Sequence, residues 1–177
     1  MKSKSYIVSC VCGILLVLVI VAVAVGAVDP YFQYHAPRKE MAYNMKMDTF
    51  SYYNAGIAKN FSYDTVVTGS SMSRAMLPSY IDGKFNCQTV KLSMAEARGK
   101  DYKILFSVLE DNSNLKRIIM GLDTFAFNVD KDYSSYEKPM HLYDNNPFND
   151  VLYLVNMDGL LESYEVLLNT KKLSRLT

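Results

Sequence analysis

The chain has 177 residues, half of them hydrophobic, with nineteen Lys and Arg against eighteen Asp and Glu. Lys2 and Lys4 lie ahead of an apolar N-terminus, so the remainder carries seventeen basic against eighteen acidic side chains, a balance that argues against a nucleic-acid partner held by phosphate contacts. Cys10 and Cys12 fall inside the apolar run and Cys87 stands alone beyond it, which excludes an intramolecular disulfide there and any thiolate zinc spacing. No metal or cofactor is expected from any motif.

Residues 1–5 form a short basic tail. From Tyr6 to Val28 the chain has no charge and no proline and is built mostly from Val, Ile, Leu, Ala and Gly. Roughly 20 such residues cross the ~30 Å hydrocarbon core as a helix. Lipid enforces a helix on this β-branched run because only a helix satisfies every backbone group within one segment. Lys2 and Lys4 before the span and Asp29-Pro30 after it predict a cytoplasmic N-terminus and an extracytoplasmic remainder. Arg38 and Lys39 weaken that bias without reversing it. A cleaved signal peptide is the rival reading, with Ala22, Ala24, Gly26 and Ala27 as cleavage-site residues; the length of the run favours a retained anchor. The bilayer itself is therefore the first expected partner.

Residues 29–60, rich in Tyr and Met, read as a membrane-proximal connector with some helix. Residues 61–177 read as an α/β domain. Tyr63 to Thr68 is a β-prone run ended by Gly69, and Met72 to Phe85 is spaced as a helix although Pro78 interrupts it. Cys87 to Leu92 is a second strand. Ala95 to Leu109 is a helix with Tyr102, Leu105, Val108 and Leu109 on one side. Asp111-Asn112-Ser113-Asn114 is a turn, and Leu115 to Gly121 is a third strand. The alternation predicts a partial doubly wound, flavodoxin-like parallel sheet of about three strands with flanking helices and right-handed crossovers. A Tyr-rich loop follows, then a helix opened by Asn146-Pro147 and another over Asp158 to Asn169. Three strands leave both sheet edges unpaired, which suggests that a C-terminal half of the fold is absent.

In such sheets ligands bind beyond the carboxyl ends of the strands. Two strand ends carry small polar motifs: Thr68-Gly69-Ser70-Ser71-Met72, and Gly121-Leu122-Asp123-Thr124. Glycine permits the tight turn, and a serine opening a helix meets its N–H groups and dipole. On this motif alone, Ser70 or Ser71 could equally be a helix cap, and Asp123 a solvated loop residue. A phosphate-binding module is a remoter possibility, since neither a Walker lysine nor Gly-x-Gly-x-x-Gly is present.

Together, Gly69-Ser70-Ser71 and Gly121-Leu122-Asp123 resemble the SGNH (GDSL-like) hydrolase superfamily. The similarity is to membrane-anchored bacterial members like the D-alanine transfer protein of teichoic-acid synthesis. The runs Asp29 to His35, Tyr52 to Ala58 and Leu142 to Asp150 look like those of related bacterial proteins, and the likeness covers the N-terminal half of such a protein. It implies an SGNH-type fold, Ser71 as nucleophile, and Gly69, Ser70, Gly121 and Asp123 lining the site. It also implies acyl chemistry on a cell-envelope polysaccharide or teichoic acid, with a membrane acyltransferase as a further partner. The sequence departs from the family in three places. It has no Asp-x-x-His, its histidines being His35 and His141. Ser93-Met94-Ala95-Glu96-Ala97 stands where a glycine is usual, the nearest being Gly99. Asp123 replaces an asparagine, and an ionised carboxylate cannot donate to an oxyanion. A non-catalytic, glycan- or partner-binding protein is therefore the alternative, with sugars stacking on the Tyr133–Tyr143 loop.

Overall fold

A computed structural model describes residues 2–46, 49–128, 139–146 and 148–173. They form two compact units: residues 1–30, 37–44 and 146–177, and residues 31–36 and 45–145. This division departs from the expected boundary at residue 60, because most of the expected connector belongs with the sheet and the C-terminal helices group with the apolar helix.

In the first unit, helix α1 spans Lys2–Val28 and is long and apolar enough to cross a membrane. It ends where Asp29 takes a left-handed conformation (φ 49°) ahead of Pro30. The Val28 carbonyl, left over at the helix end, accepts from the Tyr43 hydroxyl at 3.0 Å. Two further helices follow, α5 over Val151–Leu154 and α6 over Met157–Leu173. Asn156 caps α6 by accepting the Asp158 N–H at 2.8 Å. Pro147, expected at the first turn of the earlier helix, lies outside the described residues.

The second unit is built on a three-stranded sheet: β1 (Thr65–Gly69), β2 (Thr89–Ser93) and β3 (Arg117–Gly121). All pairings are parallel and the order is β2-β1-β3. Each strand begins two residues later than its apolar run. The reason is the preceding loops, which are tied together by Asp64: its carboxylate accepts the Gln88 N–H at 3.0 Å and its carbonyl accepts those of Lys116 and Arg117. The Gln88 N–H, then the Thr65 hydroxyl, hold the Asp64 carboxyl below its ordinary pKa.

The helix expected over 72–85 is divided. A 3-10 helix covers Ser71–Ala75, and α3 starts afresh at Pro78 and runs to Phe85. Proline suits the first position of a helix and pushes Leu77 into extended conformation (φ −94°, ψ 115°), so one continuous helix is impossible. Helix α4 spans Gly99–Leu109, shorter than expected because Glu96 is left-handed (φ 46°) and Asp101 caps the start by accepting the Arg98 N–H at 2.8 Å. Its buried face is Tyr102, Leu105, Val108 and Leu109, as its spacing predicts. Ile119 lines a hollow with α3, and the next residue, Met120, lines one with α4. Successive strand residues face opposite sides, so the two helices cover opposite faces of the sheet.

Helix α2 (Phe50–Asn60) docks beside β2 and on the loop after Pro30. A Cβ at Gly56 would lie 2.1 Å from the Tyr31 carbonyl oxygen and 2.5 Å from that of Phe32. Only glycine lets these backbones meet. Asn60 Nδ2 then donates to the Phe32 and Gln33 carbonyls at 2.7 and 3.0 Å. The Tyr31 ring packs edge-on against Tyr53 at 5.1 Å. The runs at Tyr31 and Tyr52, far apart in sequence, are one packed element.

Candidate functional site

The central strand β1 has β2 on one side and β3 on the other, so the crossover from β1 to β2 and the one from β2 to β3 run in opposite directions along the sheet. The crevice at such a switch point, beyond the strands' carboxyl ends, is where open parallel sheets hold ligands. Here it is bounded by Gly69, paired with Ser93 on β2 and with Gly121 on β3.

Gly69 has φ +146°, and a Cβ there would sit 2.9 Å from both the Gly121 oxygen and Ser73 Cβ. Conformation and space both demand glycine. Ser70 is buried, and its hydroxyl accepts the Met72 N–H at 3.3 Å. The capping role open to either serine thus falls to Ser70. Ser71, the next residue, is exposed, and its hydroxyl has no hydrogen-bond partner among the described residues. One serine holds the turn and the other is presented to solvent.

Beneath them lies a chain of buried hydroxyls. Ser73 Oγ donates to the Ser70 carbonyl at 2.7 Å and sits 2.6 Å from Ser93 Oγ. With its own proton committed, Ser73 is the acceptor and Ser93 the donor. The Ser93 carbonyl accepts from Asn54 Nδ2 at 3.0 Å, and the Gly69 carbonyl from the Met94 N–H at 3.0 Å. These bonds fix the ends of β1 and β2 to the 3-10 helix and so fix Ser71. Sequence reasoning missed Asn54, Ser73 and Ser93; the only trace was the position of Ser93 at the end of an expected strand.

At the end of β3, a Cβ added at Gly121 would lie 3.7 Å from Ser73 Cβ and 3.9 Å from Met76 Cε. Leu122 is exposed and Asp123 half-buried, opening a 3-10 helix over Thr124–Phe127 without capping it through its side chain. The Asp123 charge is felt by Tyr102, whose hydroxyl is buried without a hydrogen-bond partner in the described structure. Burial first, then Asp123 and Asp101, push that phenol up to about 12. Asp123 therefore lies on the α4 side of β3, while Gly121 faces the 3-10 helix and Ser71 follows β1.

Two apolar hollows flank β3. One, of about 680 Å³, is lined by Met76, Leu77, Tyr80, Phe85 and Ile119; the other, of about 450 Å³, by Tyr102, Phe106, Met120, Leu122 and Phe127. A polar hollow of about 500 Å³ lined by Asn60, Asp111, Asn112 and Asn145 holds none of the candidate residues and opens by the loop that precedes β3.

Neither histidine is hydrogen-bonded to Ser71. His35 Nδ1 is 2.9 Å from the Ala36 carbonyl, and His141 lies in a 3-10 turn over Met140–Leu142 that α2 holds through Lys59, which donates to the Leu142 carbonyl at 2.8 Å. Tyr143, expected to offer a stacking face, is buried and donates to the Ser51 carbonyl at 2.6 Å. Its phenol is raised by burial, and no face is left for a sugar. Tyr133 and Tyr136 lie outside the described residues. Among the described residues no group of three His, Cys, Asp or Glu could hold a metal ion.

Compared with protein-family models, with curated proteins and with solved structures, the chain matches none.

Proposed function

We propose that this chain is a membrane-anchored, extracytoplasmic protein of SGNH-hydrolase type that carries the nucleophile side of an acyl-transfer site for cell-envelope polysaccharide or teichoic acid. The observation that carries the reading is the division of labour at the β1 end. Gly69, paired with Gly121, allows a turn no other residue fits, Ser70 is consumed as the cap, and Ser71, two residues on, is exposed. In this reading Ser71 Oγ attacks an ester carbonyl, its proton passes to a base, and the departing alkoxide recovers a proton from that base. The N–H of Ser71 itself would meet the oxyanion, since those of Met72 and Ser73 are already bonded to Ser70, and Asp123, an acceptor, would not serve there. Among the described residues no base is hydrogen-bonded to Ser71; in this reading the base would be supplied by another segment of the protein or by a membrane acyltransferase partner.

The same missing base supports a second reading, a non-catalytic membrane-anchored protein that binds a glycan or a protein partner. One experiment separates them. The full chain in detergent is treated with a fluorophosphonate, with and without added imidazole as a surrogate base. Labelling that imidazole accelerates and Ser71→Ala abolishes supports the nucleophile. No labelling of folded protein under either condition rejects it and leaves the binding reading.

A further inference from the structure

We propose that the α5–α6 corner is a second membrane contact, resting in the outer interface of the bilayer that α1 crosses. The proposal rests on the reading of α1 as a membrane span.

Two observations within the first unit carry it. The first is depth. The apolar stretch Tyr6–Val28 is about 34 Å long as a helix, against a hydrocarbon core of about 30 Å. Its last turn, Val25 to Val28, therefore sits at the hydrocarbon boundary. The corner packs on that turn. A Cβ at Gly26 would be 3.3 Å from Leu154 Cδ2, and one at Gly159 would be 3.4 Å from Val25 Cγ1. Tyr153 donates its hydroxyl to the buried carboxylate of Asp29 at 2.8 Å. Lys4 to Ile20, by contrast, are exposed throughout, as lipid-facing side chains are.

The second observation is composition. Phe148, Val151, Leu152, Val155, Met157 and Leu161 are all exposed on this corner, Phe148 by 88%. Exposed apolar side chains scattered singly need no explanation, but a contiguous group does. These six lie on or next to the two helices that pack against the last turn of α1, at the depth of the outer interface, and that depth makes the bilayer their occupant. Asp158, exposed between Met157 and Leu161, sets the limit. A carboxylate belongs among headgroups, so the corner lies at the interface and does not enter the core.

The test uses the full chain with Cys10, Cys12 and Cys87 replaced and single cysteines at Leu15→Cys, Phe148→Cys or Leu152→Cys. Each carries an NBD fluorophore in phosphatidylcholine–phosphatidylglycerol vesicles. Phe148→Cys and Leu152→Cys are expected to be quenched by lipids with a nitroxide high on the acyl chain. Both should be at least 3-fold less quenched by iodide than the free NBD–cysteine conjugate, and Leu15→Cys should respond to a deep nitroxide. If Leu15 is lipid-quenched while both corner positions are quenched by iodide like the free conjugate, the anchor stands and the second contact is overturned. If the corner positions are shielded from both quenchers, another protein surface such as a second copy covers them, which also overturns the proposal. If Leu15 meets no lipid, the anchor reading itself fails and takes this one with it.

Discussion

Strands β2 and β3 flank β1 in the same parallel register, yet their surroundings differ. Beside β2, α2 brings Asn54 to the Ser93 carbonyl, and Leu92 is fully buried. Beside β3, Ile118 is 44% exposed and an apolar hollow opens on each face. Parallel sheets are normally covered on both faces. The carboxyl end of β2 meets that rule, with Leu92 and Ser93 buried, whereas no residue of β3 is buried and its first two are exposed. The candidate site sits between them: the turn that carries Ser71 is bonded through Ser73, Ser93 and Asn54 to the β2 side, the more finished of the two, while β3 is the unfinished side.

The largest effect expected on the finished side comes from Gly56→Val. The new Cβ would overlap the Tyr31 and Phe32 carbonyls, which are backbone and cannot yield. A loss above about 4 kcal/mol is expected, enough to unfold the α/β unit. Circular dichroism should then keep the α1 signal and lose cooperative melting. Retention of a normal melt would mean that α2 does not dock as described.

Next comes a matched pair across the sheet. Leu92→Ala removes a fully buried side chain and should cost about 2–5 kcal/mol. Ile118→Ala removes one nearly half exposed and should cost about 1 kcal/mol or less. Denaturant midpoints of the detergent-solubilised chain measure the difference. Equal losses would show that β3 is covered in solution and would erase the contrast.

Asn54→Ala is smaller. It leaves the buried Ser93 carbonyl without its amide donor, at a cost of about 1–3 kcal/mol. Because Ser93 is linked to Ser73 and Ser73 to Ser70, the rate of fluorophosphonate labelling at Ser71 should fall as well. An unchanged labelling rate would separate the hydroxyl chain from the positioning of Ser71.

The strands were legible because each is a β-branched run ended by a polar or glycine residue at Gly69, Ser93 or Gly121. Gly69 and Ser71 were legible as a motif, and the buried face of α4 as a 3.6-residue spacing. The α2 contact was not, since nothing local reveals that Gly56 must admit the carbonyls of Tyr31 and Phe32. The Ser73–Ser93 bond depends on the sheet register, which brings residues twenty apart together only after β1 and β2 pair. The grouping of α6 with α1 was equally hidden. It depends on Gly159 meeting Val25 across more than a hundred residues.

The smallest effect is a pH dependence on the unfinished side. Tyr102 keeps its proton up to about 12 in the fold, against about 10 in an unfolded chain. Between those values the unfolded chain releases a proton that the folded one retains. The contribution is therefore full below pH 10 and is lost as pH rises through 12. Burial raises Tyr63 and Tyr143 in the same direction, so Tyr102→Phe should flatten only part of the alkaline fall in melting temperature. Near neutral pH the variant should match or slightly exceed the parent, because the hydroxyl it removes is buried without a partner among the described residues. A clear loss at neutral pH would reveal an acceptor for Tyr102. That acceptor would belong to whatever closes the β3 flank, and the contrast between the two sides of the sheet would then describe an open state of the molecule.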